Sequence, residues 1–172
     1  MNGKLITPFA ACRIFAPQDF FQKGLTYMVN DSVALERREK EILKENENHL
    51  AGFEKWLMGT GLSKKTINTH VSNVEFYIND YLCYYDVYDV KQGAMQIYGF
   101  LGNWFIRKAA WSSCAQIKTN AASIKKFYAY LLEKRIVEQE DYDDLCRTIK
   151  EYMPDWLEAM NRYDEMMFED YY

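Results

Sequence analysis

Residues 62–82, LSKKTINTHVSNVEFYINDYL, and residues 111–136, WSSCAQIKTNAASIKKFYAYLLEKRI, decide the fold. In the first, Ser63 is placed to cap a helix starting at Lys64, its hydroxyl accepting an orphan backbone N–H of the opening turn. Ile67, Val71, Val74, Ile78 and Leu82 then recur at the 3.6-residue period of a core-facing stripe. Thr69, Ser72, Asn73 and Phe76 fall on the opposite face. In the second, Ser112 or Ser113 opens a helix with the stripe Ile117, Ala121, Ile124, Tyr128 and Leu131, extended by the aliphatic stem of Arg135. Thr119, Ala122, Ser123, Lys126 and Tyr130 are expected outside. Small residues beside a lysine allow close approach to a phosphate backbone, and the same mixture suits any solvated helix.

Further helices follow from the same signals. Pro17 opens a short one through Phe20, Phe21, Leu25 and Met28, ending near Asn30. Asp31 or Ser32 then caps a long helix reaching about Met58, charged in its first half, where only Ile42 and Leu43 have core to meet. Its second half carries Leu50, Phe53, Trp56 and Leu57, and Gly59 and Gly61 stop it. After Asp89, the residues Ala94, Ile97, Leu101, Trp104 and Phe105 point inward, with Gly93 and Gly99 permitting close packing. A helix over 141–153 is expected to end before Pro154, whose ring opposes continuation. A last helix aligns Trp156, Met160, Tyr163 and Met167. No strand alternation stands out, so the fold class is all-α, a bundle of four to five helices with helical extensions at both ends. The expected divisions are an N-terminal arm and charged helix (1–48), a helical domain (49–153) and an acidic aromatic helix (154–172).

Apolar residues make up 49% of 172, enough for one domain with a sizeable core. No apolar run reaches the length of a membrane span. The segment Leu5–Phe15, bracketed by Pro8 and Pro17 and interrupted by Arg13, reads as an arm packed on the domain. Cys12, Cys83, Cys114 and Cys146 are widely spaced with no histidine nearby, which points away from a metal site and toward reduced thiols in a cytoplasmic protein. The overall charge of −4 is unevenly distributed. Residues 1–61 are neutral, residues 62–135 carry +5 and residues 136–172 carry −9. A basic middle beside an acidic end suggests a localised binding surface, or an acidic end that neutralises the middle.

Thr66, Ile67, His70 and Val74 fit T-[IL]-x-x-[YH]-x-x-x-[LV], and the run Ala122 to Leu131, ASIKKFYAYL, resembles without a gap a second pattern, S-[AS]-[VI]-[RK]-[RK]-[LF]-[FY]-x-[YF]-L, with Ala122 in place of its opening serine. In these motifs the chain resembles the core-binding, SAM-like domain of tyrosine recombinases and phage integrases, over about Leu50 to Lys150. The resemblance implies a helical grip on duplex DNA. It departs from the family in its catalytic series, since His49 and His70 are the only histidines, no Arg…Lys…His-x-x-Arg…Tyr order can be laid out, and Tyr172 follows Ile136 too soon for a catalytic domain.

The expected function is therefore non-catalytic DNA binding. Lys64, Lys65, Lys118, Lys125 and Lys126 would meet phosphates, with Thr66, Thr69, Asn73, Thr119 and Ser123 near a groove and both helix starts presented to the DNA from one side. The implied partners are duplex DNA, gripped weakly, and a full-length recombinase or a second copy of the chain. No catalytic residue, cofactor, metal or membrane is expected. His70, at the flank of its helix, reads as a structural histidine, and Asp143–Asp144 and Glu140–Asp141 as complements to a helix dipole. The alternative is a helical protein-interaction module that has kept the scaffold without the DNA contacts.

Overall fold

The computed structural model describes the backbone of residues 18–169 and the side chains of residues 33–167. Five helical runs account for the described fold, and no strand occurs among the described residues. They are α1 (Gln18–Met58), α2 (Lys64–Glu75), a composite α3 (90–108), α4 (Cys114–Glu133) and α5 (Gln139–Glu169). A π turn over Phe76–Tyr81 prolongs α2. The chain divides into two compact units between Glu36 and Arg37. The second unit takes in residues 37–48 and 154–172 as well as the expected central domain.

The boundaries have local causes. Ser63 caps α2 by accepting from Thr66 N, and Ser113 caps α4 by accepting from Gln116 N. Asp89 starts α3 with a reciprocal capping box through Gln92. α1 ends at Met58, and Gly61 then takes φ +75, a left-handed value that costs glycine little. α3 passes through a 3-10 turn at Ala94–Gln96 and a π turn at Phe100–Trp104. Gly93 belongs to a close crossing: a Cβ there would stand 2.6 Å from both Leu82 Cδ1 and Tyr128 Oη. The space it leaves admits two tyrosines, Tyr77 donating to Gly93 O at 2.6 Å and Tyr128 to Val90 O at 2.7 Å.

The core collects the expected stripes. Ile67, Val74, Ile78 and Leu82 are buried, as are Ile97, Leu101 and Phe105, and Ile117, Ala121, Ile124, Tyr128 and Leu131. α1 contributes Phe53 and Leu57, with Phe53 edge-on to Phe127 at 5.3 Å. Asn46 lies within the charged part of α1 yet is buried, donating to Ile78 O at 3.2 Å and Asn79 Oδ1 at 2.9 Å. It joins α1 to the π turn that prolongs α2.

Several expectations are corrected. α1 runs unbroken through 30–32, because the cap preference of Asn30, Asp31 and Ser32 is a weak bias and neither proline nor glycine stands there. α5 likewise passes through Pro154. The missing N–H costs about 3 kcal/mol, and it is offset by burial of Leu145 before the proline and Trp156 and Met160 after it, at about 1.5–3 kcal/mol per large side chain. Tyr163 is half-buried and Met167 exposed, so the C-terminal stripe is a docked segment only as far as its middle. Arg135 lies beyond α4 with φ +57 and is exposed, so its stem does not extend the buried stripe. Phe76 and Tyr130, expected outside, are covered: Phe76 by Phe100, Trp104, Phe105 and Trp111, and Tyr130 by Phe53 and Trp56. The arm at Leu5–Phe15, Cys12 and the side chains of Phe20 to Met28 lie outside the described residues.

Candidate nucleic-acid interface

The surface expected to meet DNA is built on α2 and α4, which are pinned together by one hydroxyl. Ser123 is fully buried and donates to Thr119 O at 2.8 Å. A hydroxyl has one proton, so its oxygen accepts from Asn73 Nδ2 at 3.0 Å and from His70 Nδ1 at 2.8 Å. That fixes the neutral imidazole as the Nδ1–H tautomer. Burial, and then the nearby Lys126 ammonium, hold the His70 pKa below 6.5. His70 is thus a buried structural histidine.

This network removes several groups from the expected interface. Ser123 is inaccessible to a groove, and the Asn73 amide donates inward. Thr69 donates to Lys65 O at 3.0 Å and Thr119 to Ala115 O at 2.9 Å, so neither hydroxyl has a proton left for a phosphate oxygen. Thr66 pairs with the capping hydroxyl of Ser63 at 2.8 Å. Short side chains on a helix find backbone acceptors one turn back more readily than distant partners. The 100° projection that placed Ser123 outward assumed one buried stripe. α4 is covered on several sides, by α1, α2 and α5.

The lysines survive. Lys64, Lys65, Lys118 and Lys125 are exposed, and Lys126 is half-buried beside His70. None of the five belongs to an ion pair among the described residues. On α4 the exposed residues are Ala115, Lys118, Ala122, Lys125 and Glu133, which at 3.6 residues per turn span only about 80° of the helix. Alanine therefore alternates with lysine along a narrow strip.

The two helix starts do not converge. His70 meets Ser123, whereas Phe76, at the start of the π turn that prolongs α2, lies with its ring centre 5.2 Å from that of Trp111, which precedes α4. The helices are antiparallel, and their N-termini lie at opposite ends of the pair. At 1.5 Å per residue, Lys64 and Lys118 are about 16 Å apart along it. One DNA strand carries a phosphate every 3.4 Å of axis, so that length matches about five phosphates.

The acidic helix α5 packs against both α4 and α3. Trp156 packs on Gly102 and Tyr98 of α3, and Cys114 Sγ lies 3.2 Å from Asn161 Oδ1. Within it, Leu157 and Asn161 meet the first turn of α4 at Cys114. A second basic surface is not evident from the sequence. Arg107 and Lys108 line a cleft of about 500 Å³ with Tyr81, Tyr85 and Trp104, and the Lys108 ammonium lies 5.4 Å from the Tyr84 ring centre. The Arg107–Lys108 pair is its only sequence signal, because the tyrosines arrive from a different segment. No group of three His, Cys, Asp or Glu side chains placed to hold a metal ion occurs among the described residues, and Cys83, Cys114 and Cys146 are free thiols. No helix is long and apolar enough to cross a membrane among the described residues. No family model, no curated protein and no solved structure matches the chain.

Proposed function

We propose that the protein binds duplex DNA without catalysis, as the resemblance to a recombinase core-binding domain implies, and that it does so through phosphates rather than bases. The observation that carries this reading is a set of five lysines on α2 and α4, without ion-pair partners among the described residues, spread over about five phosphate spacings along the helix pair. Alanines at 115 and 122 keep the strip low enough for a backbone to approach Lys118 and Lys125. The hydroxyls and the Asn73 amide N–H expected to read bases are engaged in hydrogen bonds within the chain, which leaves little base discrimination.

The test is fluorescence polarisation with a labelled duplex between about 50 and 200 mM salt. With three to five phosphates neutralised, log K falls against log salt with a slope of about −3 to −4.5. Lys125→Ala/Lys126→Ala weakens binding equally across unrelated sequences and reduces the slope by about 2. Unaltered binding by the double variant, or none by wild type at about 50 mM salt, would falsify the proposal. A second reading, a protein-interaction module, is favoured by Trp111 and Tyr85, aromatic rings 57% and 73% exposed.

A further inference from the structure

At the far end of the α2–α4 pair from Lys64 lies a cleft of about 420 Å³ whose chemistry is opposite to that of the lysine strip. Glu75 and Asp80 supply carboxylates, Phe76 and Trp111 rings, Asn73, Asn79 and Asn120 amides, and Ser72 a hydroxyl; no cationic side chain lines it. Asn120 is the telling residue. It is 1% exposed, and its Nδ2 donates to Gln116 O at 2.9 Å, which fixes the orientation of the amide. Its Oδ1 is then left buried with no donor. A buried acceptor without a partner is costly and calls for one. Asn73 repeats the pattern: its Nδ2 is engaged by Ser123, so its carbonyl oxygen is the free end. Partial desolvation, with no compensating cation, raises the Asp80 carboxyl above 3.8.

We propose that this cleft binds a guanidinium group, that of an arginine side chain or of a free arginine derivative. The site offers acceptors, negative charge and an aromatic face, with no cation to balance them. Guanidinium is planar, permanently charged and carries five N–H donors. Its face stacks on the exposed Trp111 indole, while its edge meets the Asn120 and Asn73 oxygens and a carboxylate. A compact ammonium has neither the plane for the ring nor the breadth to reach both amides. The inference stands independently of the DNA reading, since it uses none of the lysines.

The experiment is an NMR titration of the intact chain with N-acetyl-arginine methylamide, following the Trp111 indole N–H and the Asn120 side-chain amide. The neutral citrulline counterpart, of nearly the same shape, is the control. Saturable shifts of both reporters are expected, with citrulline binding roughly tenfold more weakly for loss of the charge-assisted contacts. Glu75→Gln and Trp111→Ala, both at exposed positions, each weaken binding about threefold or more. Asn120→Leu abolishes it, and should that variant unfold, the two exposed variants still decide. Comparing a Gly-Arg-Gly peptide with agmatine identifies the source: tighter binding of the peptide assigns an arginine of a polypeptide, tighter binding of agmatine a free guanidine. Equal affinity for arginine and citrulline, or no saturation in the millimolar range, overturns the proposal. So does binding unchanged by both Glu75→Gln and Trp111→Ala.

Discussion

Replacing Trp156 by alanine probes whether the second half of α5 belongs to the folded domain. Trp156 is 2% exposed and Met160 1%. The indole seats on Gly102 so tightly that a Cβ at that glycine would lie 2.8 Å from its Cδ1 and Nε1. A fully buried tryptophan replaced by alanine costs about 3–5 kcal/mol, a large share of the roughly 5–15 kcal/mol by which domains are stable. Trp156 carries a further signature, because its N–H is buried without an acceptor. Phenylalanine removes that orphan donor, worth about 1–3 kcal/mol of desolvation, while giving up part of the ring. Trp156→Phe should therefore cost less than about 1.5 kcal/mol. Gly102→Ala should cost about 1–3 kcal/mol by overpacking, and less when phenylalanine at 156 makes room, so the pair should be non-additive. Urea unfolding followed by far-UV circular dichroism gives all four corners of the cycle, with a constant slope showing that the unfolded state is unchanged. Stability of Trp156→Ala within about 0.5 kcal/mol of wild type, or strict additivity of the Gly102 and Trp156→Phe changes, would refute the docking argument.

Two other perturbations separate structural roles from binding roles. Ser123→Ala leaves the Asn73 amide and the His70 Nδ1–H without their acceptor, so unfolding should become easier by about 1–3 kcal/mol; because Ser123 touches no ligand, the salt slope of DNA binding should stay that of wild type, and a changed slope with unchanged stability would reverse the assignment. Stability should also fall as pH drops from neutrality through 6.5, because burial lowers the pKa of both His49 and His70 in the folded state. Below 6.5 the unfolded chain binds the protons first, so acid favours unfolding until the lower folded-state values are passed. Urea midpoints at several pH values report this, and His70→Gln should flatten the trend; a midpoint that rises on acidification over that window contradicts it.

The helical class was legible because its signals are local. Ser63 and Ser113 cap their helices as a hydroxyl before a lysine- or cysteine-led turn should, and the apolar stripes of α2 and α4 recur at helical spacing whatever they pack against. Pro154 and Asn30–Ser32 misled for the converse reason. Local preferences of up to about 3 kcal/mol are overridden where packing is continuous on both sides, as Leu145, Trp156 and Met160 show around the proline.

The candidate interface was less legible because one periodicity reports one buried face. α4 touches four neighbours: Tyr130 and Phe127 meet Phe53 of α1, Ser123 meets His70 of α2, Tyr128 meets Val90 of α3, and Cys114 meets Leu157 of α5. A helix surrounded in this way buries polar as well as apolar residues, and each polar one then needs a partner inside the fold. Ser123 finds three, which is why it cannot also serve a ligand; Asn120 finds one too few, which is why it points to one. The same enclosure leaves the strip through Ala115, Lys118, Ala122 and Lys125, with Glu133 beyond it, as the exposed face of α4. Burial and local hydrogen bonds thus leave five lysines of the ten expected residues, and it is on these that the proposed phosphate contacts rest.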